Sequence, residues 1–136
     1  MKVKIIWERT RDGECEVTEY EGNYKEINGL GNITFSEAEN DVKHLLKISE
    51  EALHWTRITD IGGKSFSNNL KFGEGVTDKT EYVTPHGIII MEAETKSYNL
   101  ERHKENGLPT LKLRYVIKHM GETVSDYEVV IRIVTC

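Results

Sequence analysis

Five histidines, His44, His54, His86, His103 and His119, are the side chains in this sequence best suited to proton transfer or metal binding near neutral pH. No two of them form an HxH or HExxH pair, so no single strand or helical turn presents two imidazoles to one ion. Ser, His and Asp all occur, but no GxSxG elbow exposes a nucleophile. The string Gly62-Gly63-Lys64-Ser65 resembles the end of a phosphate-binding loop, yet it lacks the upstream glycine and no helical pattern follows, which leaves a hairpin turn. Cys15 and Cys136 form no CxxC pair and are expected as reduced thiols. No catalytic residue, metal ligand or cofactor is assigned.

The chemically suggestive residues are polar ones on apolar faces. At a spacing of two, Arg57 continues the face of Leu53 and Trp55, Asn68 lies between Phe66 and Leu70, and Tyr115 and His119 continue the face of Leu111 and Leu113. A polar group carried into an interior must find partners, and an inward Arg calls for an anion, supplied either by a protein carboxylate such as Glu19 or Glu37 or by a ligand.

The elements that would position these residues are strands. Val3, Ile5 and Trp7 alternate with Lys2, Lys4 and Glu8, and the same period of two returns in Ile33-Phe35, Phe66-Phe72, Leu111-Ile117 and Tyr127-Ile133. One dry face and one wet face is the pattern of antiparallel sheets. Asp12-Gly13 and Asn28-Gly29 are hairpin signals, and further glycine turns at 62–63, 73–75, 106–107 and 121 cut the chain into eight to ten strands. Residues 36 to 55 are ambiguous. Ser36 and Glu39 have capping-box spacing, and Val42, Leu45, Leu46 and Leu53 fall near one helical face, whereas the alternative strand pattern pairs Val42, His44, Leu46 and Ile48 against Lys43, Leu45 and Lys47.

The stretch from Lys47 to Tyr98 resembles the YwiB-like family of small bacterial proteins, in which a strand ending in Arg leads to Phe, then Gly, then Tyr-x-x-Pro-x-Gly and a later Thr. The matching positions are Arg57, Phe72, Gly75, Tyr82, Pro85, Gly87 and Thr95, within a resemblance running from about Gly22 to Ile133. His86 departs from it, since an aromatic Tyr or Phe is more usual there. The resemblance implies an all-β, lipocalin-like antiparallel barrel of the calycin type, a β-hairpin in the ambiguous segment, and no established activity. Pro85 and Gly87 then read as a hairpin at the barrel rim. Beyond it Ile89, Met91, Ala93, Thr95 and Ser97 are expected inside, and Ile88 and Ile90 outside, where they form an apolar patch.

Composition bounds the function. The chain has 136 residues, expected as a single domain 1–136, and carries 18 Lys plus Arg against 23 Asp plus Glu, interspersed, for a net charge of −5. Without a block of one sign it has nothing to track a phosphate backbone, so nucleic acid is not an expected partner. No apolar run approaches the ~20 residues of a spanning helix, and the N-terminus lacks the apolar core of a secretory signal, so a cytoplasmic location and no membrane are expected. The expectation is a non-enzymatic barrel binding a small, partly apolar, anionic ligand, with Arg57, Trp55, Tyr82, Thr95 and Tyr115 lining the site. Two alternatives stand beside it: a solid-cored interaction module, self-associating as a homodimer through Ile88 and Ile90, and a small-molecule enzyme using His119 or His44 as base.

Overall fold

The computed structural model describes residues 1–37, 39, 41–84 and 86–136, with residues 82–84 described by their backbone alone. It contains ten strands: β1 Lys2–Arg11, β2 Glu14–Ile27, β3 Leu30–Glu37, β4 Val42–Ile48, β5 Ala52–Ile61, β6 Lys64–Gly73, β7 Thr77–Thr84, β8 Gly87–Arg102, β9 Pro109–His119 and β10 Glu122–Thr135. They form one antiparallel sheet in the order β6-β5-β4-β3-β2-β1-β10-β9-β8-β7. The chain is therefore a meander whose last strand returns to its first, a nearly closed barrel with one seam between β6 and β7.

Side chains close that seam where the backbone ladder does not. Lys71 N–H donates to the Asp78 carboxylate at 2.9 Å and the Thr80 hydroxyl donates to the Asn69 carbonyl at 2.8 Å. Nearby, Thr95 links both sides, donating its N–H to the Val76 carbonyl at 2.9 Å and accepting the Gly73 N–H on Oγ1 at 3.3 Å. These bonds satisfy groups that an exposed sheet edge would leave open.

Turn chemistry sets the register. Asp12-Gly13, Asn28-Gly29, Gly62-Gly63 and Met120-Gly121 all have positive φ at both central residues, the two-residue turn whose twist matches its flanking strands. The GGKS string is thus a β5–β6 hairpin. Gly87 has φ +126° at the start of β8, while Pro85 lies outside the described residues.

The ambiguous segment folds as strands. Val42, His44, Leu46 and Ile48 are buried on β4, opposite Thr59, Arg57, Trp55 and Leu53 of β5. Ser49 makes the turn between them: its Oγ accepts the N–H groups of Glu51 and Ala52 at 3.3 and 3.1 Å. Sheet pairing buries all four alternate β4 residues, which a helix standing alone could not do, and this tertiary gain outweighs the local helical pattern. Ala38 and Asn40 lie outside the described residues.

Two expectations along β8 are corrected. Ser97 is exposed because the register with β9 shifts between Thr95 and Ser97; this bulge adds a residue and turns Tyr98 and Leu100 inward instead, opposite Leu113 and Leu111. Ile89 is exposed along with Ile88 and Ile90, so both faces of this end of β8 lack cover.

The interior is uneven along the barrel axis. Towards the end holding Asn28-Gly29, Val3, Ile5, Ile33, Leu46, Ile48, Leu53, Phe72, Leu111, Ile131 and Ile133 are packed together, with Leu108 buried beneath them. At the opposite end, where Asp12-Gly13, Gly62-Gly63 and Met120-Gly121 lie, the lining becomes polar and the barrel opens.

Candidate functional site

Five consecutive strands turn inward residues near the open end towards one another. On β1 these are Trp7 and Arg9, on β2 Thr18 and Tyr20, on β3 Phe35 and Glu37, on β4 His44, and on β5 Trp55 and Arg57. The alternation that buries Ile5, Ile33 and Leu46 deeper in the barrel carries these residues into the mouth. They line an open cavity of about 580 Å³, a volume within the range of small-molecule sites.

Aromatic rings form its floor. The Trp7 and Trp55 centroids are 5.1 Å apart, Phe35 stacks on His44 at 4.6 Å with 12° between the planes, and Tyr20 lies 4.6 Å from Phe35. A chain of hydrogen bonds runs through them. The Tyr20 hydroxyl donates to Glu37 Oε1 at 2.8 Å, Glu37 Oε2 lies 3.1 Å from His44 Nε2, and Trp55 Nε1 donates to His44 Nδ1 at 3.0 Å. An indole N–H can only donate, so His44 Nδ1 must present its lone pair. The proton of the neutral ring therefore sits on Nε2 and is donated to Glu37.

The electrostatics follow this arrangement. Burial holds the His44 imidazole below its usual range, against the opposing pull of Glu37. For Glu37 burial acts to raise the carboxyl, but the hydrogen bonds from His44 and Tyr20 together outweigh it and hold the group below the ordinary carboxylate range; the Arg57 charge adds to them. The Tyr20 phenol is pushed up to about 12, by burial first and then by its bond to the Glu37 carboxylate. At neutral pH the cluster is a neutral His, an ionised Glu and a neutral Tyr.

Arg57 is half-buried on the cavity wall, opposite His44 on β4 and the buried Asn68 on β6. Arg9 pairs with Glu16 at 2.9 Å across the exposed rim. Of the residues expected to line a site, Trp55 and Arg57 meet here. Thr95 and Tyr115 do not: they face each other across β8 and β9 in the packed interior, Thr95 bonded to Gly73 and the Tyr115 ring 4.5 Å from Phe72 and 5.0 Å from Tyr127. The Tyr82 side chain lies outside the described residues. Sequence reasoning missed Trp7 and Tyr20 as lining residues and left Glu37 only as a possible Arg57 partner. Glu37 was signalled by its place two residues beyond Phe35, as Phe35 is beyond Ile33.

Both nitrogens of His44 are engaged, and the exposed His119 has its Nδ1 3.0 Å from the Ile90 carbonyl. Among the described residues no group of three or more His, Cys, Asp or Glu is placed to hold a metal ion, and no helix is long and apolar enough to cross a membrane.

Comparison with known proteins gives the following. The family model described as a domain of unknown function (DUF1934) matches residues 3–131. No curated protein matches the chain. The crystal structure of ywiB protein from Bacillus subtilis is similar, with a TM-score of 0.70 and 19% sequence identity, over 99% of this chain and 90% of that one. At that identity the likeness concerns the fold.

Proposed function

Because the chain belongs to the DUF1934 family, a domain of unknown function, its role has to come from its own mouth residues, and we propose that it is a non-enzymatic barrel, lipocalin-like in its use of the interior, that binds one small, partly apolar ligand carrying an anionic group. The observation that carries this reading is the half-buried Arg57 beside an aromatic floor in an open cavity of about 580 Å³. A flat apolar body stacks against Trp7 and Trp55, burying ring surface at roughly 25 cal/mol per Å². The anionic end meets the guanidinium, whose planar fork suits a carboxylate, sulfonate or phosphate.

Binding rather than catalysis is supported by His44. Its Nε2–H is committed to Glu37 and its Nδ1 lone pair to Trp55, so it would have to abandon the floor to accept a substrate proton. Three of the carboxylates lining the cavity are likewise engaged: Glu37 by Tyr20 and His44, Glu16 by Arg9, and Glu19 by Lys4.

The test uses anilinonaphthalene sulfonate, a flat apolar anion, titrated into the wild-type protein and Arg57→Met. One saturable site that quenches tryptophan emission and weakens about tenfold or more in Arg57→Met is expected. Equal binding to both proteins, or binding by the uncharged phenylnaphthylamine as tight as by the sulfonate, overturns the assignment.

A further inference from the structure

The outer wall of the barrel carries a second feature, separate from the mouth. Cross-strand pairing places Lys25 opposite Asn32, Asn32 opposite Lys47, Lys47 opposite His54, and His54 opposite Lys71, a single row across β2 to β6. All of these except the half-buried Asn32 are exposed, and no carboxylate interrupts them. Side chains directly opposite on neighbouring strands lie ~5 Å apart, so Asn32 and His54 stand between the lysines of the row.

Elsewhere on the outer wall several cations are paired with acids. Lys4 pairs with Glu19, Arg132 with Glu8, Arg114 with Asp126, Lys79 with Glu92, and Lys96 and Lys118 with Glu94. Among the described residues Lys25, Lys47 and Lys71 of the row form no ion pair, nor do Lys43 of β4, Lys2 of β1 and Lys112 of β9. In a chain of net charge −5, the row is a local basic patch with a single carboxylate, Asp78, at its edge.

The face also has relief. Beside the basic row runs a parallel one, Thr34, Leu45, Thr56 and Asn69, in register on β3 to β6. Over the two rows lies a hollow of about 610 Å³, bordered by Leu45, Lys47, His54, Thr56, Lys71 and Asp78. Its one carboxylate, Asp78, is taken by the Lys71 backbone N–H.

We propose that this face of β3 to β6 is a docking surface for an acidic protein segment, whose carboxylates meet Lys47, His54 and Lys71 and whose apolar side chain packs on Leu45. Charge complementarity selects the acidic partner. The apolar centre at Leu45, and the absence of an exposed Phe, Tyr or Trp among the outward residues of these strands for base stacking, favour a protein segment over a nucleic acid.

The probe is a short synthetic peptide of alternating Glu and Leu, followed by amide chemical shifts of the full chain, with an oligothymidylate of equal charge as comparison. Expected are shifts centred on Lys47, His54, Thr56 and Lys71, affinity lowered about tenfold or more by the double change Lys47→Glu and Lys71→Glu, weaker binding in Leu45→Ser, and no effect of Arg57→Met. The double variant should melt no lower than the wild type, because it places acids beside His54. Absence of shifts, shifts confined to the mouth, unchanged affinity in the double variant, or tighter binding of the oligothymidylate through the same row each overturn the proposal. A lowered melting temperature in the double variant would do so as well, by making the row structural.

Discussion

The indole N–H of Trp55 is held by Nδ1 of His44 at 3.0 Å, one strand away and in the same inward layer. This bond fixes the ring in its neutral form with the proton on Nε2, and it joins the acid–base state of His44 to the position of the cavity floor. Protonating Nδ1 removes the acceptor that Trp55 needs.

The consequence is a dependence on acid. The folded-state His44 is held below its ordinary value of ~6.5, so the native state binds fewer protons than the unfolded chain as pH falls through that range. Its contribution is present above the unfolded value and is lost as pH drops towards the folded one; the lowered Glu37 has the same sign at more acidic pH. Tryptophan emission should therefore change on acidification below ~6.5, since both tryptophans line the cavity. Substituting His44→Gln should abolish that transition, and its survival would place the titrating group elsewhere.

Replacing Arg57 separates a ligand anchor from a structural ion pair. Glu37 keeps its bonds to Tyr20 and His44 when Arg57 becomes Met, so ligand-free protein should lose less than the ~3–5 kcal/mol of a broken buried pair, about 1 kcal/mol or under. Urea unfolding measures the difference. A loss of the larger size would assign Arg57 to the fold.

At the β7–β8 hairpin, Gly87→Val forces a β-branched residue to φ +126°. Space is not the obstacle, because an added Cβ meets nothing within 4 Å. Backbone strain alone should lower stability by ~1–3 kcal/mol, and an unchanged melting temperature would mean the hairpin relaxes to another turn.

The seam offers a local rather than global test. Asp78→Ala removes the acceptor of the Lys71 N–H, and Thr80→Val removes the donor to the Asn69 carbonyl. Each should cost about 1 kcal/mol, and hydrogen exchange should accelerate at the Lys71 amide before it does on β9 and β10. Uniform acceleration across the barrel would show that the seam opens only on global unfolding.

Much of this architecture is legible in the sequence. The period of two, the Asp-Gly and Asn-Gly turns and the Arg-to-Thr motif pointed to an antiparallel barrel, and the ten-stranded sheet and the family match bear that out. The same alternation identified Arg57 as inward. These features are local: the face a side chain takes on a strand depends only on its parity within that strand.

What parity could not convey was depth along the barrel and the company each residue keeps there. Thr95 and Tyr115 share the inward parity of Arg57 but sit in the packed interior, because the meander sets their register against Phe72 and Tyr127. Ser97 lost its inward place to one inserted residue in β8, since a bulge exchanges the faces of everything beyond it. Tyr20, Glu37, His44 and Trp55 come from four strands spread over 36 positions of sequence, and only the cross-strand registers bring their polar atoms within hydrogen-bond reach. Parity belongs to each strand by itself; the site belongs to the closure of the sheet.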